Sequence, residues 1–202
     1  MQRRIRLIGA VAVAALTAFT ACTPPPQPRP PLPTPYSGGT NPDLAPQAGD
    51  AAYVEPGPYV AGVTTVEIEP GRQAEVWYPA APASAAGVSK DVYRIRSFLS
   101  PFLQFLLPPD IDPPFETDAF RGLPVSDDGP FPVVLFSHGA ASFRLQSTFL
   151  TTHLAQWGFV VVSPDYFERG LTSLLGDPPA PARPDTQVAN LAITKVRSMS
   201  TA

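Results

Sequence analysis

The sequence predicts an α/β fold for residues 50–202, because two strand patterns follow one another along the chain. Residues 63–69 and 74–79, VTTVEIE and AEVWYP, are rich in β-formers and are separated by Pro70-Gly71, which favours a hairpin. Residues 132–165 then run strand, helix, strand, and both strands are apolar throughout, as is typical of parallel strands covered on both faces. About 150 residues of this kind suffice for one domain.

Two amphipathic helices complete this domain. The helix between the parallel strands is predicted over 144–157, and its expected inner residues are Phe149, Leu150, Leu154 and Trp157. A last helix is predicted from residue 185, and its expected inner residues are Val188, Leu191, Ala192, Val196 and Met199.

The first 21 residues have the order of a secretory signal peptide. Three arginines within the first six residues precede an unbroken apolar run at 7–19, and small residues follow it. The run is shorter than the roughly 20 apolar residues that cross a bilayer. We therefore expect export, and an uncleaved membrane anchor is the weaker alternative.

Cys22 is the only cysteine, so the chain cannot form an internal disulfide. The sequence FTAC at 19–22 resembles a bacterial lipobox, although Phe19 replaces the usual Leu, Val or Ile. The expectation is a lipidated Cys22 that anchors a cell-envelope lipoprotein to the membrane, with simple secretion as the alternative. Residues 22–49 then form a proline-rich tether, which is extended at about 3.1 Å per residue.

An apolar helix is predicted inside the long connection at 91–121. Ser100 is a good cap and is followed by Pro101, and Pro108-Pro109 ends the helix. Such a helix suits either a lid over an apolar pocket or ordinary packing on the sheet. The candidate lid residues are Phe98, Phe102, Leu103 and Leu106.

The turn after the first parallel strand, SHGA at 137–140, is the strongest candidate site. Gly139 would let the backbone turn sharply, and the N–H of Ala140 would then point at a developing oxyanion. His138 is expected to orient the turn by hydrogen bonding rather than to act as a base. Asp165, Glu168 and Arg169 follow the next strand, and loop-bracing ion pairs are favoured over catalysis for them.

Residues 131–170, FPVVLFSHGAASFRLQSTFLTTHLAQWGFVVVSPDYFERG, resemble the third strand, first helix and fourth strand of α/β-hydrolases. The resemblance is closest to the platelet-activating-factor acetylhydrolase and PET-hydrolase-like branch, which is related to dienelactone hydrolases. It implies the N-terminal half of an α/β-hydrolase sheet. It also implies an oxyanion-hole turn at His138, Gly139 and Ala140, with the N–H of Ala140 as donor, and an ester or lipid-like small molecule as substrate.

Such enzymes attack with a serine in G-x-S-x-G, followed later by the acid and the histidine. No serine in this sequence has glycine both two residues before and two residues after it. The expectation is therefore a truncated domain at 50–202 that lacks the nucleophile-elbow strand and is inactive alone, as a frameshift or truncated gene prediction would explain. The strand at 132–136 would then be an open edge that favours self-association.

Two classes of function follow from these patterns. The first is a carboxylic ester hydrolase, and the alternative is a non-catalytic, lipid-anchored binding module for an apolar ligand or partner. A net charge of −3 with two lysines gives no indication of nucleic-acid binding. Two histidines and one cysteine predict no metal site, and no cofactor is expected.

Overall fold

The computed structural model describes residues 54–175 and 180–199, which belong to a compact unit, Gln47–Ala202. The signal peptide, Cys22 and the proline-rich tether lie outside the described residues, so they stay predictions. Among the described residues, no helix has the length and apolar content needed to cross a bilayer.

The described strands form one five-stranded sheet and one two-stranded sheet. The strands are β1 (Val60–Glu69), β2 (Arg72–Ala80), β3 (Val92–Tyr93), β4 (Phe115–Glu116), β5 (Ala119–Arg121), β6 (Val133–Leu135) and β7 (Val160–Pro164). The larger sheet has the order β5-β1-β2-β7-β6, and β3 pairs with β4. The predicted hairpin is confirmed by the antiparallel register of β1 and β2, and the predicted parallel pair by Val133 opposite Val160.

The helices place side chains on both faces of the larger sheet. They are α1 (Pro101–Leu106), α2 (Thr148–Gln156), α3 (Leu171–Leu174) and α4 (Asp185–Met199), with 3₁₀ turns at Pro82–Ala85, Ile95–Phe98 and Pro109–Ile111. On one face, Ala155 of α2 joins Trp77 and Val161. On the other face, Ala192 of α4 joins Val162. Because neighbouring residues of β7 point to opposite faces that are both covered, Val161 and Val162 are both buried and apolar. The strand is not apolar throughout, since it also contains the buried Ser163.

The inner face of α2 differs from the predicted one. Phe149 and Leu150 are 77% and 40% exposed, whereas Thr151, Thr152 and Ala155 are buried. Small and β-branched side chains allow the helix to lie close to the sheet, which the predicted large residues would prevent. Leu154 remains half-buried against the core, and the indole N–H of Trp157 donates to the Glu55 carbonyl at 3.1 Å.

The inner face of α4 is predicted in part. Val188, Ala192 and Val196 are buried as expected, whereas Met199 is 43% exposed at the end of the helix.

Strand β6 lies at the edge of the described sheet. It pairs with β7 alone, through bonds that include Val160 N–H to the Pro132 carbonyl and Phe136 N–H to the Val162 carbonyl. Backbone groups of a strand alternate in direction, so those of Val133 and Leu135 face away from β7. Val133 is 44% exposed, which means that this strand is less covered than its apolar sequence indicates.

Candidate functional site

A cavity of about 250 Å³ lies beyond the carboxyl ends of β6 and β7. Its walls include His138 and Ser142 from the segment after β6, and Asp165 and Tyr166 from the segment after β7. Ligands of open α/β sheets bind at this end of the strands. The cavity therefore occupies the place that the strand–helix–strand pattern predicts.

The imidazole of His138 is buried in the wall of this cavity and both of its nitrogens are in use. Nε2 accepts the backbone N–H of Tyr166 at 3.2 Å, so the ring proton lies on Nδ1, which donates to the Gly139 carbonyl at 3.0 Å. Burial lowers the pKa of His138, and the nearby Arg169 acts in the same direction. A neutral histidine with both nitrogens engaged in this way links the turn to the segment after β7 and has no free lone pair for a base.

Arg169 ties the turn to the segment after β7. Its guanidinium donates to the His138 carbonyl and to Ser137 Oγ, the latter at 2.6 Å. It also lies 4.3 Å from the ring centroid of Tyr166 and pairs with Asp185 at 3.1 Å. Arg169 therefore forms an ion pair with Asp185, and its separate hydrogen bond holds the carbonyl that precedes Gly139.

Three consecutive amides of the turn have different partners. The N–H of Gly139 donates to Gln146 Oε1 at 3.1 Å, and the N–H of Ala141 donates to the Arg169 carbonyl at 2.7 Å. Between them, the N–H of Ala140 donates to no acceptor among residues 54–175 and 180–199. Gly139 and Ala140 are exposed and do not line the cavity themselves, whereas His138 and Ser142 on either side of them do.

The sharp bend of this turn lies at Ala141 rather than at Gly139. Ala141 has a φ of 61°, whereas Gly139 is not among the residues with positive φ. A Cβ atom at position 139 would contact Gln146 Oε1 at 3.7 Å, an ordinary distance. The assumption that Gly139 is required for the bend is therefore wrong, because the left-handed conformation belongs to a residue two positions later.

A buried charge network forms the polar wall of the cavity. Arg144 donates to Asp165 at 2.8 Å, to Glu75 at 3.2 Å and to Gln73 at 3.0 Å. Glu75 is 1% exposed and also accepts Arg121 at 2.8 Å. Burial raises the pKa of Asp165, although Arg144 acts in the opposite direction. Because one donor on each of its three nitrogens is used by these partners, Arg144 has a structural role in the cavity wall.

The apolar wall comes from Phe98 and Phe143, whose ring centroids are 4.7 Å apart. Of the candidate lid residues, Phe98 lines the cavity. Phe102 and Leu106 are 69% and 56% exposed and do not line it, and Leu103 is half-buried within α1 without reaching it. The predicted Ser100 cap is present, since Ser100 Oγ accepts the Leu103 N–H at 3.5 Å.

Sequence reasoning did not select Ser142, Arg144 or Tyr166. Ser142 is buried in the cavity wall, but no hydrogen bond joins its hydroxyl to His138 or Asp165 within the described part of the chain. It is therefore not an activated nucleophile. Of these three, Arg144 carried a signal, since it follows the turn in the FR pair of the resembled motif. The described residues also contain no cluster of three or more histidine, cysteine or carboxylate side chains that could hold a metal ion.

A comparison with protein-family models identifies the platelet-activating factor acetylhydrolase, isoform II, family over residues 66–196, which is more than half of the chain. The chain belongs to this family. A search of curated proteins finds no match. The expected resemblance is thus confirmed, and the mixed α/β sheet is compatible with part of an α/β-hydrolase fold.

The platelet-activating factor acetylhydrolase match runs from β1 into α4, so it includes the turn, the cavity and the charge network. The family is of the lipid- or ester-hydrolase type. In this region the turn is held by the amide hydrogen bonds of Gly139 and Ala141, on either side of an Ala140 amide that finds no acceptor among the residues the structure describes.

Proposed function

We propose that the turn at 138–140 and the adjoining cavity form the oxyanion side of a carboxylic-ester hydrolase site. In this reaction a serine oxygen attacks the ester carbonyl, and the carbonyl oxygen becomes an anion until the alcohol leaves. A fixed N–H donor at that oxygen contributes about 2.7–4 kcal/mol to the transition state. The observation that carries the proposal is that the Ala140 amide has no acceptor within the described part of the chain, whereas the amides of Gly139 and Ala141 each have one.

The surroundings of this amide support the same role. Ser137 and the His138 carbonyl are held by Arg169, and the His138 ring is held by Tyr166, so the turn is fixed before substrate arrives. The apolar surface of Phe98 and Phe143 suits an acyl chain. A donor that needs no reorganisation is the condition under which such stabilisation is effective.

We further propose that the 202-residue chain does not turn over esters by itself, because no serine of the sequence stands in G-x-S-x-G and His138 is not free to act as a base. Its contribution is binding and oxyanion stabilisation. Export, with Cys22 lipidated and the domain held near a membrane by the tether, belongs to the same proposal and rests on the N-terminal sequence.

Equilibrium binding of p-nitrophenyl butyrate tests this function. We expect saturable binding without release of p-nitrophenolate. Thr172 lines the cavity, so Thr172→Trp should weaken binding by filling it. Thr194→Trp places the same side chain at an exposed position of α4 and should leave binding unchanged. Robust turnover by the wild-type chain, or equal binding by both variants, would contradict the proposal.

The alternative, a non-catalytic binding module, is favoured by one observation. Phe102, Phe105 and Leu106 lie on one face of α1 and are 69%, 86% and 56% exposed. If this face were the ligand site, Phe105→Ser would abolish binding of an apolar ligand, whereas Thr172→Trp would not. The ester-site proposal expects the reverse order.

A further inference from the structure

Residues 92–116, here called the flap, leave the domain and rejoin it at one place. The N–H of Asp91 donates to the Ala119 carbonyl at 2.8 Å, and the N–H of Thr117 donates to the Asp91 carbonyl at 2.9 Å. Asp91 also receives Arg121 at 2.7 Å. The two ends of the flap are therefore joined by backbone and charge contacts, as the base of a hinged element requires.

The flap is held together by its own contacts. Arg96, which precedes α1, donates to the carbonyl of Gln104 at 2.6 Å and to that of Leu107. Arg94 donates to the Asp112 carbonyl, and β3 pairs with β4. These bonds begin and end within the flap, so they would be kept if the flap moved as a unit.

Phe98 makes the shorter of two ring contacts between the flap and the cavity wall. Its ring centroid lies 4.7 Å from that of Phe143, and the Arg144 guanidinium carbon lies 4.7 Å from the Phe98 centroid. Tyr93 makes a second, longer ring contact with Phe143, 6.1 Å between centroids, close to the base. Residues 97–101 around Phe98 form one side of the cavity, which would open if this contact were lost.

The wall that receives Phe98 is rigid. Arg144 is bound to Asp165 and to Glu75, and Glu75 also binds Arg121, which holds Asp91 at the base of the flap. Through Arg121, the buried carboxylate of Glu75 thus connects Asp91 at the base of the flap with Arg144, the cation that lies against Phe98. The flap and the wall share this charge network at the base. Away from the network they meet through ring contacts and a cation–π contact, and through a side-chain hydrogen bond between Tyr93 and Thr148 of α2 close to the base.

We propose that residues 92–116 are a hinged flap that controls access to the cavity, and that Phe98 is the positioning residue that keeps it closed. This rests on the proposed function in one respect, namely that the cavity receives the ester. Opening separates Phe98 from Phe143 and Arg144 while the Asp91, Thr117 and Ala119 bonds at the base remain.

Thiol accessibility inside the cavity tests the flap without any ester. Ser142 is buried in the cavity wall, and Cys22 is the only natural cysteine. In the Cys22→Ser, Ser142→Cys chain, the rate of reaction with N-ethylmaleimide reports opening. Phe98→Ala should raise this rate roughly tenfold, as expected for the loss of one aromatic pair and one cation–π contact. Phe105→Ala, an 86% exposed position of the same flap, is the control and should leave the rate unchanged.

Two further measurements separate hinging from unfolding. Hydrogen exchange at the Asp91 and Thr117 amides should stay slow in Phe98→Ala, because the base remains formed. Phe98→Leu keeps apolar volume and should give a smaller, still measurable increase, which covers the case in which the alanine variant fails to fold. Unchanged labelling in both Phe98 variants, equal acceleration by Phe105→Ala, or loss of protection at the base overturns the flap. A failure to bind ester would contradict the proposed function and leave these rates untouched.

Discussion

The Nε2 atom of His138 accepts the backbone N–H of Tyr166 at 3.2 Å, which joins the turn after β6 to the segment after β7. The bond requires a neutral ring, and burial keeps it neutral by lowering the pKa of His138. Two segments that are distant in sequence are thus fixed relative to each other by one unprotonated nitrogen. Protonation of Nε2 would break this bond.

Stability should fall in acid because of His138. The unfolded chain binds a proton near the ordinary histidine pKa of about 6.5, whereas the folded chain binds it at a lower pH. The contribution of the neutral ring is therefore complete above pH 6.5 and is lost as the pH falls below it. The measurement is the free energy of unfolding from pH 7.5 to 5 for wild type and His138→Gln.

The difference between these two proteins should shrink as the pH is lowered. His153→Gln is the matched control, because it removes the other histidine and leaves His138 in place. A constant difference between wild type and His138→Gln across the range would show that His138 titrates alike in the folded and unfolded chain.

The left-handed conformation of Ala141 predicts how stability responds to glycine at position 141 and to alanine at position 139. Ala141→Gly should stabilise the protein by roughly 1 kcal/mol, because a left-handed conformation costs an L-residue about that much and φ at this position is 61°. Gly139→Ala should be tolerated, since its Cβ meets no close atom. Denaturant titrations check both, and a large loss in Gly139→Ala would show that the bend depends on Gly139 after all.

Glu75 should be far more sensitive to loss of its charge than an exposed carboxylate. It is 1% exposed and accepts Arg121 and Arg144, so removal of its charge leaves two cations without a shared partner. Glu75→Gln should lower the free energy of unfolding by roughly 3 kcal/mol. Asp118→Asn, at an exposed surface pair with Lys90, should leave the denaturation midpoint unchanged within error. Equal effects of the two variants would contradict the role given to Glu75.

The open edge of β6 predicts self-association of the 202-residue chain. Val133→Lys should reduce the sedimentation-equilibrium mass at high concentration, because a lysine on an edge strand disfavours pairing with a second strand. Phe149→Lys adds the same charge and removes exposed apolar surface on α2, away from that edge. If Phe149→Lys reduced association as much as Val133→Lys, general apolar contact rather than edge pairing would be responsible.

Local patterns predict the elements of this fold well and their long-range partners poorly. The β1–β2 hairpin, the Ser100 cap and the β6–α2–β7 unit follow from alternation, capping and turn residues close together in sequence. The bonds of Glu75 to Arg121 and Arg144 join residues 46 and 69 positions apart, and nothing in AEVWYP indicates those partners.

The inner face of α2 shows a different limit. Apolar character alone favours Phe149 and Leu150, whereas the close approach of the helix to the sheet selects Thr151, Thr152 and Ala155. Side-chain size decides such a contact, and a hydrophobic pattern does not record the distance between helix and sheet. The turn shows a similar limit, because a pattern of residue types does not record which backbone amides find acceptors. The amides of Gly139 and Ala141 have acceptors, whereas that of Ala140 has none among the described residues.

The most direct test of the oxyanion role is the backbone amide signal of Ala140 in a nitrogen–proton correlation spectrum. The probe is the monobutyl ester of methylphosphonic acid, whose anionic oxygen resembles that of the tetrahedral intermediate, added to the chain with Cys22→Ser. We expect the Ala140 amide proton to move downfield and saturate, while the Gly139 and Ala141 amides, which already have acceptors, move little. Saturable shifts at cavity residues such as Leu171 with a stationary Ala140 signal would contradict the account.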